Sequence, residues 1–262
     1  MSNYANTPPL LAVGDLELEY RYLPRGARPT LVLLHEGLGC CALWRDFPER
    51  LQDATDLPVW LYSRAGYGRS SPIRLPRPLD FMTREAELLP AILDAAGIAE
   101  CILVGHSDGA SIALVNAGKV HDPRVRGIVL MAPHVMTEPM GLASIAAARA
   151  AYESGDLRAR LAKYHGANVD CAFRGWSGAW LDPDFVRWSL EHYVDDIEVP
   201  VLLIQGVDDQ YGTPEQLRRI ERRLRVPFET ALLDDCRHAP QFDQSARTLE
   251  SIAAFVARVR AG

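Results

Sequence analysis

The stretch "GHSDG" sets Ser107 between Gly105 and Gly109, each two positions away. A serine hydroxyl attacks a carbonyl well only when a base takes its proton and an acid orients the base. The pattern G-x-S-x-G also suits a tight corner that needs a small residue, so its neighbours decide its meaning. Before it stands the apolar run "CILV" and after it "ASIAL", which places Ser107 between a buried strand and a helix. Such a turn forces its central residue into a strained backbone, and the flanking glycines remove the Cβ atoms that would collide. The hydroxyl then stands above the sheet at a helix N-terminus.

Five histidines follow Ser107: His121, His134, His165, His192 and His238. His121 precedes "DPRVRG" on a connector, while His165 and His192 fall in a helical stretch, so these three are expected at the surface or in a covering segment. His134, after "GIVLMAP", is placed to line a site. His238 follows the last strand-like run and precedes the final helix, which suits a base when the chain order is serine, acid, histidine. His106 adjoins the nucleophile, but a sharp turn aims its side chain elsewhere. The acid should leave the preceding strand, where "PVLLIQGVDDQYG" offers Asp208 and Asp209. Asp209, three residues after Gly206, is preferred; Asp208 and, more distantly, Glu138 are the alternatives. An oxyanion also needs two fixed donors. The Asp108 N–H is one, and "LLHEGLG" supplies the other, assigned to Gly37 with a shift to Leu38 left open.

The elements that must hold these groups are legible as apolar runs. "LAVGDLELEY", "TLVLLHEG", "PVWLYSRAG", "CILVGHS", "GIVLMAP", "PVLLIQG" and "ETALLDDC" recur along the chain. From "TLVLL" onward they are continuous, as expected for strands buried on both faces of a parallel sheet. Helical patterns lie between several of them, including "FPERLQDA", "TREAELLPAILDAAG" and "SIALVNAGKV". "TPEQLRRIERRL" opens with Thr213 as N-cap, Pro214 at the first helical position and Gln216 completing a capping box. In the last helix Leu249, Ile252, Val256 and Val259 share one face. Strands alternating with helices predict an α/β fold with a mostly parallel sheet covered on both sides. From Val135 to Asp196 no strand-like run occurs, and Trp176, Trp180 and Trp188 lie there. The expected division is a core of 1–134 and 197–262 with a helical insertion at 135–196.

Composition narrows the classes. The 262 residues are 48% hydrophobic and 24% charged, with a formal net charge of −6, which offers no footprint for nucleic acid or an anionic membrane. "QLRRIERRLR" is interrupted by Glu221 and reads as the polar face of a helix. The start shows no basic region before an apolar core, and no run approaches the roughly 20 residues of a membrane helix. Five cysteines without paired spacing suggest reduced, buried thiols in the cytoplasm rather than disulfides or zinc. Neither a metal nor an organic cofactor is expected, and a homo-oligomer stays open.

Taken together, "LLHEGLGCCALW", "YSRAGYGRSS", "LVGHSDGASIAL", "VLMAPH", "LLIQGVDDQYGTPEQ" and "DCRHAPQFDQ" resemble, in order, the blocks of the α/β-hydrolase superfamily. The resemblance implies an eight-stranded, mostly parallel sheet with a helical lid after the sixth strand, and Ser107, Asp209 and His238 as the triad. Serine at 107 argues against the haloalkane dehalogenase and epoxide hydrolase branches, which the resemblance associates with aspartate there. Two positions depart from the family. Glu36 stands where a glycine usually follows the histidine, and either bonds to its own loop or faces the pocket and disfavours anionic substrates. Asp108 replaces an apolar residue or glutamine, and its side chain is expected to bond to nearby loops.

The implied chemistry is hydrolysis of a carboxylic ester or related acyl compound, a small and apolar or aromatic molecule. Carbon–carbon cleavage of a dienoate, lactone opening, thioester cleavage and acyl transfer use the same triad, and a triad-retaining receptor would use it for binding. Glu36, Leu38, Trp44, His134, Trp176 and Trp180 are the candidate pocket residues. "LVLLHEGLGCCA" also contains G-x-G-x-x-A after a strand, but the next strand ends in Arg64 rather than the acidic residue a dinucleotide site needs.

Overall fold

The continuous apolar runs become the interior of a single sheet in a computed structural model that describes residues 8–261. The strands are β1 (Leu10–Val13), β2 (Leu16–Leu23), β3 (Thr30–Leu34), β4 (Val59–Tyr62), β5 (Cys101–His106), β6 (Val125–Met131), β7 (Val201–Gly206) and β8 (Phe228–Leu233). The helices are α1 (Phe47–Thr55), α2 (Phe81–Ala95), α3 (Asp108–Val115), α4 (Pro139–Ser154), α5 (Leu157–His165), α6 (Val169–Trp180), α7 (Glu191–Val194), α8 (Glu215–Glu221), α9 (Pro240–Asp243) and α10 (Ser245–Ala261). The strand order is β1-β2-β4-β3-β5-β6-β7-β8; β2 pairs antiparallel with β1 and β4, and every other pair is parallel.

Every residue of β3, β4, β5 and β7 is buried, because helices cover both faces. Alternation along each strand divides the core in two. Val32, Leu34, Leu103, Leu130 and Leu203 pack with Leu89, Ile92 and Leu93 of α2 and with α3. Leu31, Leu33, Ile102, Val104, Val129 and Ile204 pack with Phe47 and Leu51 of α1 and with Leu249, Ile252 and Val256 of α10. Each such side chain contributes about 1.5–3 kcal/mol relative to exposure.

Two expectations need correction. The last strand is not buried on both faces: β8 lies at the sheet edge, and Phe228 and Leu232 remain exposed. The capping box before α8 does not close on itself. The Gln216 side chain instead donates to the Met136 carbonyl and to Glu138, and its Oε1 accepts from the Val135 N–H. The Thr213 N–H, which Gln216 was expected to satisfy, donates to Glu138 Oε2 at 2.9 Å. A carboxylate from a distant loop thus takes the part assigned to a local neighbour.

Between β6 and β7 the chain forms α4 to α7 and contributes no strand to the sheet. All five cysteines are free. No helix among the described residues is long and apolar enough to cross a membrane. The reading of the chain start falls partly on residues 1–7, which lie outside those described.

Candidate active site

At the end of β5 the backbone turns sharply, and Ser107 adopts φ 54°, ψ −121° as it enters α3. A non-glycine residue there stores about 1–3 kcal/mol of strain, which surrounding structure must hold in place. The Ser107 N–H donates to the Met131 carbonyl at 2.9 Å, tying the turn to β6. Both glycines are required. A Cβ at Gly105 would lie 2.4 Å from the Gly109 carbonyl oxygen, and one at Gly109 would lie 2.0 Å from that of Leu34.

The hydroxyl of Ser107 donates to His238 Nε2 at 2.9 Å. His238 Nδ1 donates to Asp209, 2.9 Å from each carboxylate oxygen. Asp209 Oδ1 also accepts from the Tyr211 N–H at 2.8 Å and Oδ2 from Gln205 Nε2 at 3.2 Å. Burial alone would raise the Asp209 carboxyl; the His238 and Tyr211 hydrogen bonds more than offset it and hold it below the usual carboxylate range. From below, His106 Nε2 donates to the His238 carbonyl at 2.7 Å, while its Nδ1 lies 3.0 Å from the Gln241 side-chain amide. His106 therefore positions the loop that carries His238, although its own ring stays out of line with the serine. Neither alternative acid is bonded to His238: Asp208 is exposed, and Glu138 is held by Thr213 and Gln216.

The loop after β3 is fixed with comparable care. The Glu36 carbonyl accepts three hydrogen bonds, from His35 Nδ1 at 2.7 Å, Arg64 Nη2 at 3.0 Å and the Gly39 N–H at 3.1 Å. Because a trans peptide directs its N–H opposite its carbonyl, these bonds aim the Gly37 N–H away from Arg64. The Arg64 N–H donates to His35 Nε2 at 3.0 Å, which selects the tautomer that can serve Glu36. Burial and the Arg64 charge push His35 well below its ordinary value, so the ring stays neutral. Gly37, Leu38 and Asp108 each have an N–H without an acceptor among the described residues.

These groups open onto a cavity of about 150 Å³. Glu36, Leu38, His134, Trp176 and Trp180 line it. Trp44 does not: it is buried in a turn after β3, where it stacks on Phe47 and meets the edge of His106. Trp188 also stays outside, stacked on Phe185 at 4.9 Å. His121 and His192 are exposed, but His165 is buried. It accepts from the Gly68 N–H and donates to the Leu38 carbonyl, each at 3.0 Å, and so clamps α5 to the loop after β3. Trp176 packs so closely on Gly37 that a Cβ there would lie 2.1 Å from its Nε1. Trp180 Nε1 donates to Asp108 Oδ1 at 3.2 Å, so the side chain of Asp108 does bond to a neighbouring segment. Burial raises the Asp108 carboxyl and pushes His134 down to about 3, the latter helped by nearby His238. Glu36 is held at about 2: burial opposes this, and His106 outweighs it.

Sequence reasoning missed Tyr211, Arg64 and the α4 residues Gly141, Leu142 and Ile145. Tyr211 lines the cavity with its ring 4.7 Å from that of His238. An aspartate accepting from the N–H two residues on is a local turn signal, so its spacing from Asp209 offered a clue. The contacts of Arg64 and α4 depend on segments far apart in sequence and left no local signal.

A family model described as "Alpha/beta hydrolase family" matches residues 31–251. The chain belongs to the alpha/beta hydrolase family. A protein of Azorhizobium caulinodans, provisionally named the carbamate hydrolase RutD, is 34% identical over 119 residues, which cover 45% of this hydrolase and 42% of that protein. The chain thus spans about two-fifths of the length of this curated relative. Among solved structures, the enol-lactonase from Burkholderia xenovorans LB400 superposes with a TM-score of 0.74 at 21% identity, covering 95% of this chain and 100% of that one. A thermophilic esterase from Thermogutta terrifontis gives 0.73 at 18% identity, covering 97% and 99%. Both likenesses concern the fold of this alpha/beta hydrolase.

Proposed function

We propose that this hydrolase cleaves a carboxylic ester or related acyl compound through Ser107, His238 and Asp209. The observation that carries the reading is the unbroken line of hydrogen bonds from Ser107 through His238 to Asp209 beside an open cavity. His238 takes the proton as Ser107 Oγ attacks the carbonyl carbon, and Asp209 holds the ring and offsets its charge. The Gly37 and Asp108 N–H groups receive the developing oxyanion. His238 then passes its proton to the leaving group, giving an acyl-enzyme. Water attacks that ester with His238 again as base, which frees the acid and restores Ser107.

In this reading residues 135–196 form a lid over a core of 1–134 and 197–262, and α4 and α6 shape the acyl pocket. Carbon–carbon cleavage of a dienoate is less well supported, because no lysine or arginine among the described residues lines the cavity to receive a carboxylate. The test is hydrolysis of p-nitrophenyl butyrate by the wild type and Ser107→Ala. Turnover should vanish in the variant. Undiminished turnover in Ser107→Ala would refute the assignment.

A further inference from the structure

The cavity wall is unusual in its charge. Among the described residues three acidic ones, Glu36, Asp108 and Glu138, line it, and no lysine or arginine does. Glu138 and Glu36 have their partners outside the lining, whereas Asp108 is held by Trp180, which lines the cavity. Glu138 receives the Thr213 N–H, the Thr213 hydroxyl and Gln216 Nε2. Glu36 Oε2 lies 3.5 Å from His106 Nδ1. Asp108 gives Oδ1 to Trp180, while its Oδ2 has no hydrogen-bond partner although the residue is only 1% exposed. The nearest cation to that oxygen, Arg64 Nη2, is 4.0 Å away, too far for a hydrogen bond, and fully buried. Among the described residues the cavity lining thus carries acidic residues and no lysine or arginine.

Two of the carboxylates also sit where they oppose the proposed chemistry. Glu36 immediately precedes Gly37, and Asp108 itself supplies the second oxyanion donor. A fixed negative charge beside each donor works against the negative charge that builds on the substrate oxygen. A positive charge on the substrate removes that opposition. Trp176, Trp180 and Tyr211 add aromatic faces, which attract cations and repel anions.

We infer that the acyl group of the substrate carries a positively charged amine near the scissile carbonyl, as in an aminoacyl ester or amide. The inference rests on the acyl-hydrolase reading and adds its substrate class. Glu36 and Asp108 face the ammonium, and the same carboxylates turn away acyl groups that bear a carboxylate. Glu36 is then a specificity residue at the position where a glycine was expected.

The test uses three p-nitrophenyl esters of one skeleton: alanine, isobutyrate and the methylmalonate monoester. They place an ammonium, a methyl or a carboxylate on the same carbon. Each kcat/KM is divided by the ester's own hydroxide-catalysed rate, which removes the activating effect of the substituent. The ammonium ester should exceed isobutyrate by tenfold or more for at least one alanine enantiomer, and methylmalonate should fall tenfold or more below it. Glu36→Gln and Asp108→Asn should each narrow the ammonium-to-methyl ratio. The corresponding anilides, titrated against Ser107→Ala protein by tryptophan fluorescence, should bind in the same order without any turnover. Equal rates and equal affinities across the three, or a preference for the carboxylate, would overturn the inference. The isobutyrate rate and its loss in Ser107→Ala report separately on the acyl-hydrolase reading.

Discussion

Ser107, Asp209 and His238 stand on loops that leave β5, β7 and β8; the Ser107 and Asp209 N–H groups donate to the Met131 and Gly206 carbonyls of the sheet, and the His106 ring at the end of β5 holds the His238 carbonyl. Trp176 and Trp180 reach the same cavity from α6, whose approach to the sheet loops is held chiefly by side chains. His165 grips Gly68 and Leu38, and Asn168 Nδ2 donates to the Gly68 and Ser70 carbonyls. Backbone bonds of a buried sheet fix positions to fractions of an ångström, whereas a helix docked by side chains can shift with a single substitution. The proposed chemistry is therefore built on the rigid part and the aromatic wall of the proposed acyl pocket on the adjustable part.

The largest effects should come from the rigid part. Ser107→Ala, His238→Ala and Asp209→Asn should each lower kcat by about ten-thousand-fold with small changes in KM. Stopped assays at saturating ester concentration check this. A residual activity above one per cent in His238→Ala would break the proposed relay. Arg64→Lys should follow, lowering kcat about tenfold to a hundredfold, because it releases one of three bonds that aim the Gly37 N–H. Loss of affinity for a trifluoromethyl ketone, parallel to the loss of kcat, distinguishes this from a general weakening of the fold.

Order along the chain made the relay legible. A strand end followed by a serine, a later strand end followed by an aspartate, and a final loop histidine are local features, each written within a few residues. The same holds for Gly105 and Gly109, whose missing Cβ atoms are demanded by the turn itself. Other features depend on which distant segments meet. Glu138 replaced Gln216 at Thr213, His165 proved buried, and Trp44 turned inward under His106. No periodicity within "HEGLG" announces that Arg64 will hold its carbonyl, or that Trp176 will lie on Gly37. These contacts are tertiary, and only the folded chain assembles them.

In the adjustable part, effects should be smaller and fall on KM. Trp176→Ala opens the face beside Gly37 and should raise KM about tenfold for esters of small acids, with kcat reduced less. Initial rates across ester concentration separate the two parameters. An unchanged KM would move the pocket away from α6.

The acid sensitivity of stability sharpens the comparison further. His134 titrates at about 3 rather than 6.5, so between those values the unfolded chain binds the proton and the folded chain does not. Stability due to this group is full above 6.5 and falls as pH drops toward 3, by at most about 1.4 kcal/mol per pH unit. His35 and His165, also depressed by burial, pull the same way. Denaturant titrations from pH 7 to pH 4 should therefore show a shallower loss for His134→Phe than for wild type. An identical slope would remove His134 from the account. The smallest effect belongs to Trp44→Phe, which should leave KM within about twofold because Trp44 does not reach the cavity.

Fluorophosphonate labelling followed by peptide mass mapping tests the central claim most directly. The account predicts one adduct, on Ser107, formed rapidly in wild type and at a greatly reduced rate in His238→Ala. A preparation that hydrolyses ester at full rate while Ser107 stays unlabelled would contradict it.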